Sequence, residues 1–225
     1  MAKLDDLLHE LGNAAEIHLT SSDAYLKPVF LLLDDYVELA SKLYLKSRDK
    51  NWSDTKSNGA FKNFHNVLSE VLAAVSPTSP PQTKGRVKVL QDEMSERREQ
   101  RNNLFHSADM VALNASERCV LQAFEEILEY LMILFGPSVQ QRIAGDNRLA
   151  VLFGLIRLKR LARDGGHYAE LWAKCFRNMP SNHPNPPKKR GAQVVEFPTD
   201  LHRRACLWKD ILSVRRELQN AGLLQ

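Results

Sequence analysis

Cysteine is scarce in this chain: three residues in 225, Cys119, Cys175 and Cys206, far apart and in no CxxC pattern. An odd, scattered set argues against a disulfide framework and against a zinc knuckle, and leaves buried or idle thiols as the reading. No apolar run approaches the ~20 residues that span a bilayer. The first ten residues, MAKLDDLLHE, are acidic and amphipathic and lack the basic, apolar, small-residue succession of a signal peptide. An intracellular, cytoplasmic protein without membrane association is therefore expected, and the sequon matches at Asn51 and Asn114 are read as chance. Glycine-rich phosphate loops, Ser/His/Asp arrangements and clustered Asp/His sets are missing, so neither a metal nor another cofactor is expected. Strand patterns are missing too; VVEF at 194–197 is too short to build a ladder.

Charge is plentiful but uneven. Residues 1–139 hold 15 Lys and Arg against 20 Asp and Glu, or −5, while residues 140–225 hold 16 against 7, or +9. A basic half of this kind points to a polyanionic partner.

Helical periodicity fills the space that strands leave. Leu4, Leu7, Leu8 and Leu11 fall at i, i+3, i+4 and i+7, which predicts a helix over 4–18. Ser22-Asp23 reads as the N-cap of a long helix ending near Arg48, with Pro28 in its early turns. Its apolar face runs through Phe30, Leu33, Val37, Ala40 and Leu43. Turn formers over 51–59 predict a loop, and 60–75 a third helix that buries Phe61, Phe64, Val67, Leu68, Val71 and Leu72. Three prolines and a glycine in 76–85 break the pattern before a charged helix from about Arg86, striped by Val87, Leu90 and Met94. A turn after Met110 leads to a strong helix from Ser116 through Phe135, its core face formed by Phe124, Ile127, Leu128, Leu131 and Leu134. Further on, Leu149, Leu152, Phe153, Ile156 and Leu161 mark a helix stopped by Gly165-Gly166, followed by the aromatic HYAELWAKCFRN. Residues 180–198 hold five prolines and a Lys-Lys-Arg cluster, and a last helix is expected over 199–221. The fold class is all-α.

The charged helix ends in RNNLFHS. Asn102 and His106 are four apart and share a helical face, whereas Arg101 and His106 are five apart, about 140° around the axis. A bend, or a second copy packed about a two-fold axis, brings such pairs into one cleft. Histidine exchanges protons near neutral pH, and arginine presents a permanent fork matched to phosphate oxygens. The two together suit cleavage of RNA by its own 2′-hydroxyl, with guanidinium stabilising the phosphoryl charge and no metal required.

RNNLFHS, closing a charged helix in an all-helical chain, resembles the signature of the HEPN superfamily: an arginine, usually a polar residue such as asparagine, then a histidine after four to six intervening residues. Arg101, Asn102 and His106 fit it with four. The resemblance covers about residues 1–136 and implies a helical bundle carrying the motif, leaving 137–225 as a basic helical C-terminal extension. It implies a metal-independent endoribonuclease, a hydrolase of single-stranded RNA acting in antiviral defence or as a toxin. His106 would be the acid–base group, Arg101 the phosphate stabiliser and Asn102 the positioner. It further implies a homodimer with a composite active site, and an antitoxin or other regulatory protein as partner. Ala108 stands where one variant of the family carries a modifiable tyrosine, so that form of regulation is not expected. Family members often add an acidic residue from an earlier helix; Asp34, Asp35 and Glu38 are available, and Asp35 and Glu38, three apart, can share a face.

Arg98, one turn before Asn102, is the better auxiliary RNA contact, since Arg97 and its neighbours also offer ordinary surface pairing with Glu93, Glu96 and Glu99. Lys188, Lys189 and Arg190 form a candidate clamp on RNA phosphates, against the plainer reading of a solvated linker. Tyr168, Trp172 and Phe176 fall four apart, a stacking face for bases or, more commonly, a packing face. The alternative to catalysis is a non-catalytic helical module of the same fold that binds RNA or a partner protein.

Overall fold

Leucines one turn apart make α1 (Ala2–Thr20) amphipathic, and Leu7, Leu8, Leu11, Ala15 and Leu19 are buried along one face. The computed structural model describes residues 2–20, 26–75, 80–106, 117–163, 165–177 and 211–224. Nine helices lie among them, with no strand beyond one isolated bridge between Thr55 and Phe61. After α1 come α2 (Leu26–Arg48), α3 (Phe64–Val75), α4 (Pro81–His106), α5 (Glu117–Phe135), α6 (Ser138–Gly145), α7 (Asn147–Ala162), α8 (Gly166–Arg177) and α9 (Ile211–Asn220). None of the described helices is long and apolar enough to cross a membrane.

The predicted stripes of α2 and α5 are the ones that pack. Phe30, Leu33, Val37 and Ala40 of α2 are buried, as are Phe124, Ile127, Leu131 and Leu134 of α5. Tyr130 of α5 is fully enclosed; its hydroxyl lies 3.0 Å from Ser41 Oγ on α2 and accepts a long contact from Gln91 Nε2 of α4 at 3.5 Å. Gln91 Nε2 also donates to the Leu68 carbonyl of α3 at 3.0 Å, so one buried polar chain joins four helices and leaves its donors satisfied.

At the centre of the bundle, α7 packs against α1, α5, α6, α8 and α9. Every residue from Leu149 to Ile156 is buried. A stretch of about two turns buried on every side sits in the core, and the exposed Arg157 and Arg160 follow it. Its neighbours approach closely: a Cβ built on Gly154 would come within 2.5 Å of Leu224 Cδ2 and 2.9 Å of Leu218 Cδ1, and one on Gly12 of α1 within 2.7 Å of Leu149 Cδ2. The packing therefore has no break at residue 136: core residues from both sides of that position form one cluster. The C-terminal segment expected as an extension contributes the central helix.

Two helix starts are corrected, one helix is added, and one expectation falls partly outside the described residues. First, α3 begins at Phe64, not at residue 60, because the preceding loop folds on itself: Lys56 N–H donates to the Ala60 carbonyl (2.7 Å) and Lys62 N–H to the Asp54 carbonyl (2.6 Å). Asn63 then caps the helix, its Oδ1 accepting from Asn66 N–H at 2.9 Å. Phe61, expected in the core, is consequently left 74% exposed. Second, α4 starts five residues before Arg86, at Pro81; proline fits a first helical turn, where its missing N–H removes nothing. Third, the short α6 was not anticipated; it is anchored by fully buried Val139 and turned into α7 by Asp146, which caps that helix through Leu149 N–H at 3.0 Å. Fourth, the last helix is described only over 211–220, and 199–210 lie outside the described residues.

Candidate functional site

The buried stripe of α4 changes character along its length. Val87, Leu90 and Met94 are buried and apolar, with Gln91 beside them. The next positions on that face, Arg97, Arg98 and Arg101, are cationic and only partly exposed. A stripe of this kind needs acids opposite, because a charge taken from water without a partner costs several kcal/mol (order of magnitude). Acids are there. Arg97 pairs with Glu126 of α5, whose other oxygen accepts from Gln122 Nε2 at 2.7 Å. Arg98 lies 2.9 Å from Glu38 and 3.5 Å from Asp34. Arg101 lies 3.3 Å from Asp34 and 3.1 Å from Asp35.

Asp34 is the hub of this seam. Its side chain is 3% exposed, and it meets both guanidiniums with one oxygen. Burial raises its carboxyl above the usual range; Arg98 and Arg101 pull it down, while Asp35 and Glu38 push it further up. Nearby, burial first and the Glu126 carboxylate second raise Glu93. Arg98 also stacks over Phe64, its guanidinium carbon 4.2 Å from the ring centre, which adds a cation–π contact. Two rigid planes, a buried carboxylate and an aromatic ring, thus set the direction of the guanidiniums.

Beside the seam is a groove of about 340 Å³, lined by Glu38, Lys62, Phe64, His65, Arg98 and Asn102, among others. Asn102 is exposed there, and His65 stands at the start of α3 in edge contact with Phe64 (5.7 Å between ring centres). Lys62 is held by Glu70 at 2.9 Å and lies over the Trp52 ring at 4.9 Å. The groove therefore offers a histidine ring, an ammonium, a guanidinium and an amide on one wall system.

The sequence candidates are distributed as follows. Arg101, Arg98, Asp35 and Glu38 come together at the α2–α4 seam, with Asn102 at its solvent edge. His106 is the last residue of α4, five positions beyond Arg101, and its side chain lies outside the described residues, as do those of Leu104 and Phe105. Lys188, Lys189 and Arg190 also lie outside them, and so does the Phe176 side chain. Tyr168 and Trp172 pack partly buried against the core, with Lys159 Nζ 5.8 Å from the Trp172 ring centre, which is the packing use of that stripe.

Lys62 and His65 are the site residues that sequence reasoning passed over, and Asp34 was named among the available acids without being singled out. For Asp34 a signal was present: it stands four after Phe30 and three before Val37, inside the apolar stripe of α2. A carboxylate in a buried stripe calls for a buried cation. Lys62 and His65 carry no such signal, since only the loop that brings 62–65 beside α4 makes them neighbours. Among the described residues no His, Cys, Asp or Glu cluster is arranged to hold a metal ion. Comparison of the chain with models of protein families, with curated proteins and with solved structures finds no match.

Proposed function

We propose that this protein is a metal-independent endoribonuclease of the HEPN type, cutting single-stranded RNA at a site built around Arg101, Asn102 and His106. The observation that carries this reading is the fixation of Arg101 by Asp34 and Asp35 at the end of α4, one residue before an Asn102 that opens onto a groove. A guanidinium held in one direction before substrate arrives loses nothing to reorganisation when phosphoryl charge develops. In the reaction, the 2′-oxygen bonds to phosphorus as its proton leaves for a base, and the bond from phosphorus to the 5′-oxygen breaks as an acid returns a proton. His106 serves this proton traffic, Arg101 meets the phosphoryl oxygens and Asn102 orients the sugar–phosphate. The products are a 2′,3′-cyclic phosphate and a free 5′-hydroxyl. A second copy of the chain completes the cleft, and activity as a defence or toxin effector follows from uncontrolled cutting of RNA.

The test compares wild type with His106→Ala and Arg101→Ala on an unstructured RNA in the presence of EDTA. Wild type is expected to release cyclic-phosphate ends, with at least a hundredfold loss in either variant. Equal cleavage by wild type and His106→Ala, or none by wild type, sinks the reading.

One observation favours a second reading, a non-catalytic helical module that binds RNA or a partner protein. Three carboxylates of the seam, Asp34, Asp35 and Glu38, face three cations, Arg98, Arg101 and the Lys42 ammonium that pairs with Glu38 at 2.9 Å. Such a balance also suits a clamp between α2 and α4. RNA binding that survives His106→Ala, with no cleavage by wild type, selects this reading.

A further inference from the structure

A cavity of about 610 Å³ lies away from the α2–α4 seam, between α5, α6, α7 and α9. Sites for small ligands commonly fall at roughly 300–1,000 Å³ and combine an apolar lining with a few fixed polar groups. The apolar lining here includes Leu128, Met132, Ile143, Phe153, Leu161 and Leu224. Met132, 41% exposed, carries the apolar lining out to the mouth of the cavity.

The charged groups of the lining are mostly of one sign. Arg157, Arg160 and Arg215 all line the cavity, and Glu125 is the one acid there. Glu125 is taken by Arg160. Arg215 is oriented by neutral acceptors only, the Asn147 side chain and the Ala144 carbonyl, the latter at 2.8 Å. Arg157 is exposed, with no ion pair or hydrogen bond among the described residues. Two guanidiniums without a carboxylate partner among the described residues therefore stand beside an apolar hollow. Guanidinium recognises carboxylate and phosphate through paired N–H donors, and the hollow accepts hydrocarbon.

We infer that this cavity is a binding site for an anionic amphiphile, a hydrocarbon chain with a carboxylate or phosphate head, whose head group meets Arg157 and Arg215 while its chain lies against α5 and α7. The site uses none of the residues assigned to RNA cleavage, so it stands whether or not that reading does.

Titration calorimetry of the full chain with dodecanoate, dodecyl phosphate and dodecanol, each below its micelle-forming concentration, tests the assignment. One of the two anions at least is expected to bind with a 1:1 stoichiometry, ten or more times tighter than dodecanol, and the better anion names the head group. Arg157→Glu, a surface change that leaves the core untouched, is expected to weaken that anion tenfold or more, and Arg215→Ala to do the same. Leu128→Trp, which fills the hollow, supplies an independent arm and should abolish binding while circular dichroism stays helical. No binding by either anion, equal binding of dodecanol, or affinity unchanged by Arg157→Glu overturns the assignment. So does association seen only with micelles or anionic vesicles, which would mark a membrane-surface patch.

Discussion

The central helix α7 and the arginine-bearing face of α4 both pack against the bundle, but they are held in different ways. Eight consecutive residues of α7 are buried and the close approach at Gly154 leaves no room for a side chain, so area and shape fix it. Beyond Met94, α4 presents arginines, and it is held by Asp34, Asp35, Glu38 and Glu126. Hydrophobic burial is non-directional and scales with area. Ion pairs are directional, and their gain is largely offset by the cost of removing charge from water. The apolar region supplies stability, and the charged seam supplies direction to particular side chains.

The largest effect is expected where area does the holding. Leu152→Ala removes a fully buried side chain from α7 and should cost about 2–5 kcal/mol, read as a shift in the denaturant midpoint at constant slope. A loss below about 1 kcal/mol would mean that the core closes over the gap and that α7 is less tightly packed than Gly154 implies.

Next comes a titration inside the apolar region. His18 is buried against Phe124, with ring centres 6.1 Å apart and Lys159 Nζ 3.5 Å from its Nε2. Burial, with a smaller push from Lys159 against the pull of Glu117, lowers its pKa to about 3 from an ordinary 6.5. Between those values the unfolded chain binds a proton that the native protein refuses. This group's contribution is therefore intact above pH 6.5 and is lost as pH falls toward 3, with a slope of at most about 1.4 kcal/mol per pH unit. Urea titrations at pH 7, 6 and 5 should show wild type weakening more steeply than His18→Gln. Parallel slopes would remove His18 from the account.

The smallest stability effect is expected at the hub of the seam. Asp34 carries the opposite sign: its raised carboxyl favours the native state most below the ordinary carboxylate range, and that advantage falls as pH rises through the native value. At pH 7 the attraction of two guanidiniums offsets part of the burial cost, which remains the larger effect. Asp34→Asn should thus change stability by under about 1 kcal/mol. Arg98 keeps Glu38 and Arg101 keeps Asp35, but both lose the shared buried anchor. If the nuclease reading holds, RNA cleavage should fall tenfold or more in that folded variant. A cleavage rate equal to wild type would separate the seam from the chemistry.

Much of this was legible one helix at a time. The leucine spacing of α1, the stripes of α2 and α5, and the cationic run of α4 each follow from a period of 3.6 residues and the partition of side chains between water and core. Asp35 and Glu38 were also within reach, since acids available to meet Arg101 and Arg98 can be picked by helical spacing. What spacing could not supply was which residues meet across helices. Lys62 and His65 join the groove only because the loop over 53–63 folds back and starts α3 late, and the same fold puts Phe61 outside.

By itself, the sequence determined that the chain is helical, which faces of its longer helices are apolar, and that one helix ends in Arg101, Asn102 and His106. Those are local properties, decided by neighbours within one or two turns. The tertiary structure alone decided that α7 from the basic half is the core of the whole, that Asp34 takes two arginines, and that Arg157 and Arg215 stand beside an apolar hollow. Each of those depends on residues tens of positions apart being brought together, and burial and shape at that range belong to the packed assembly of helices.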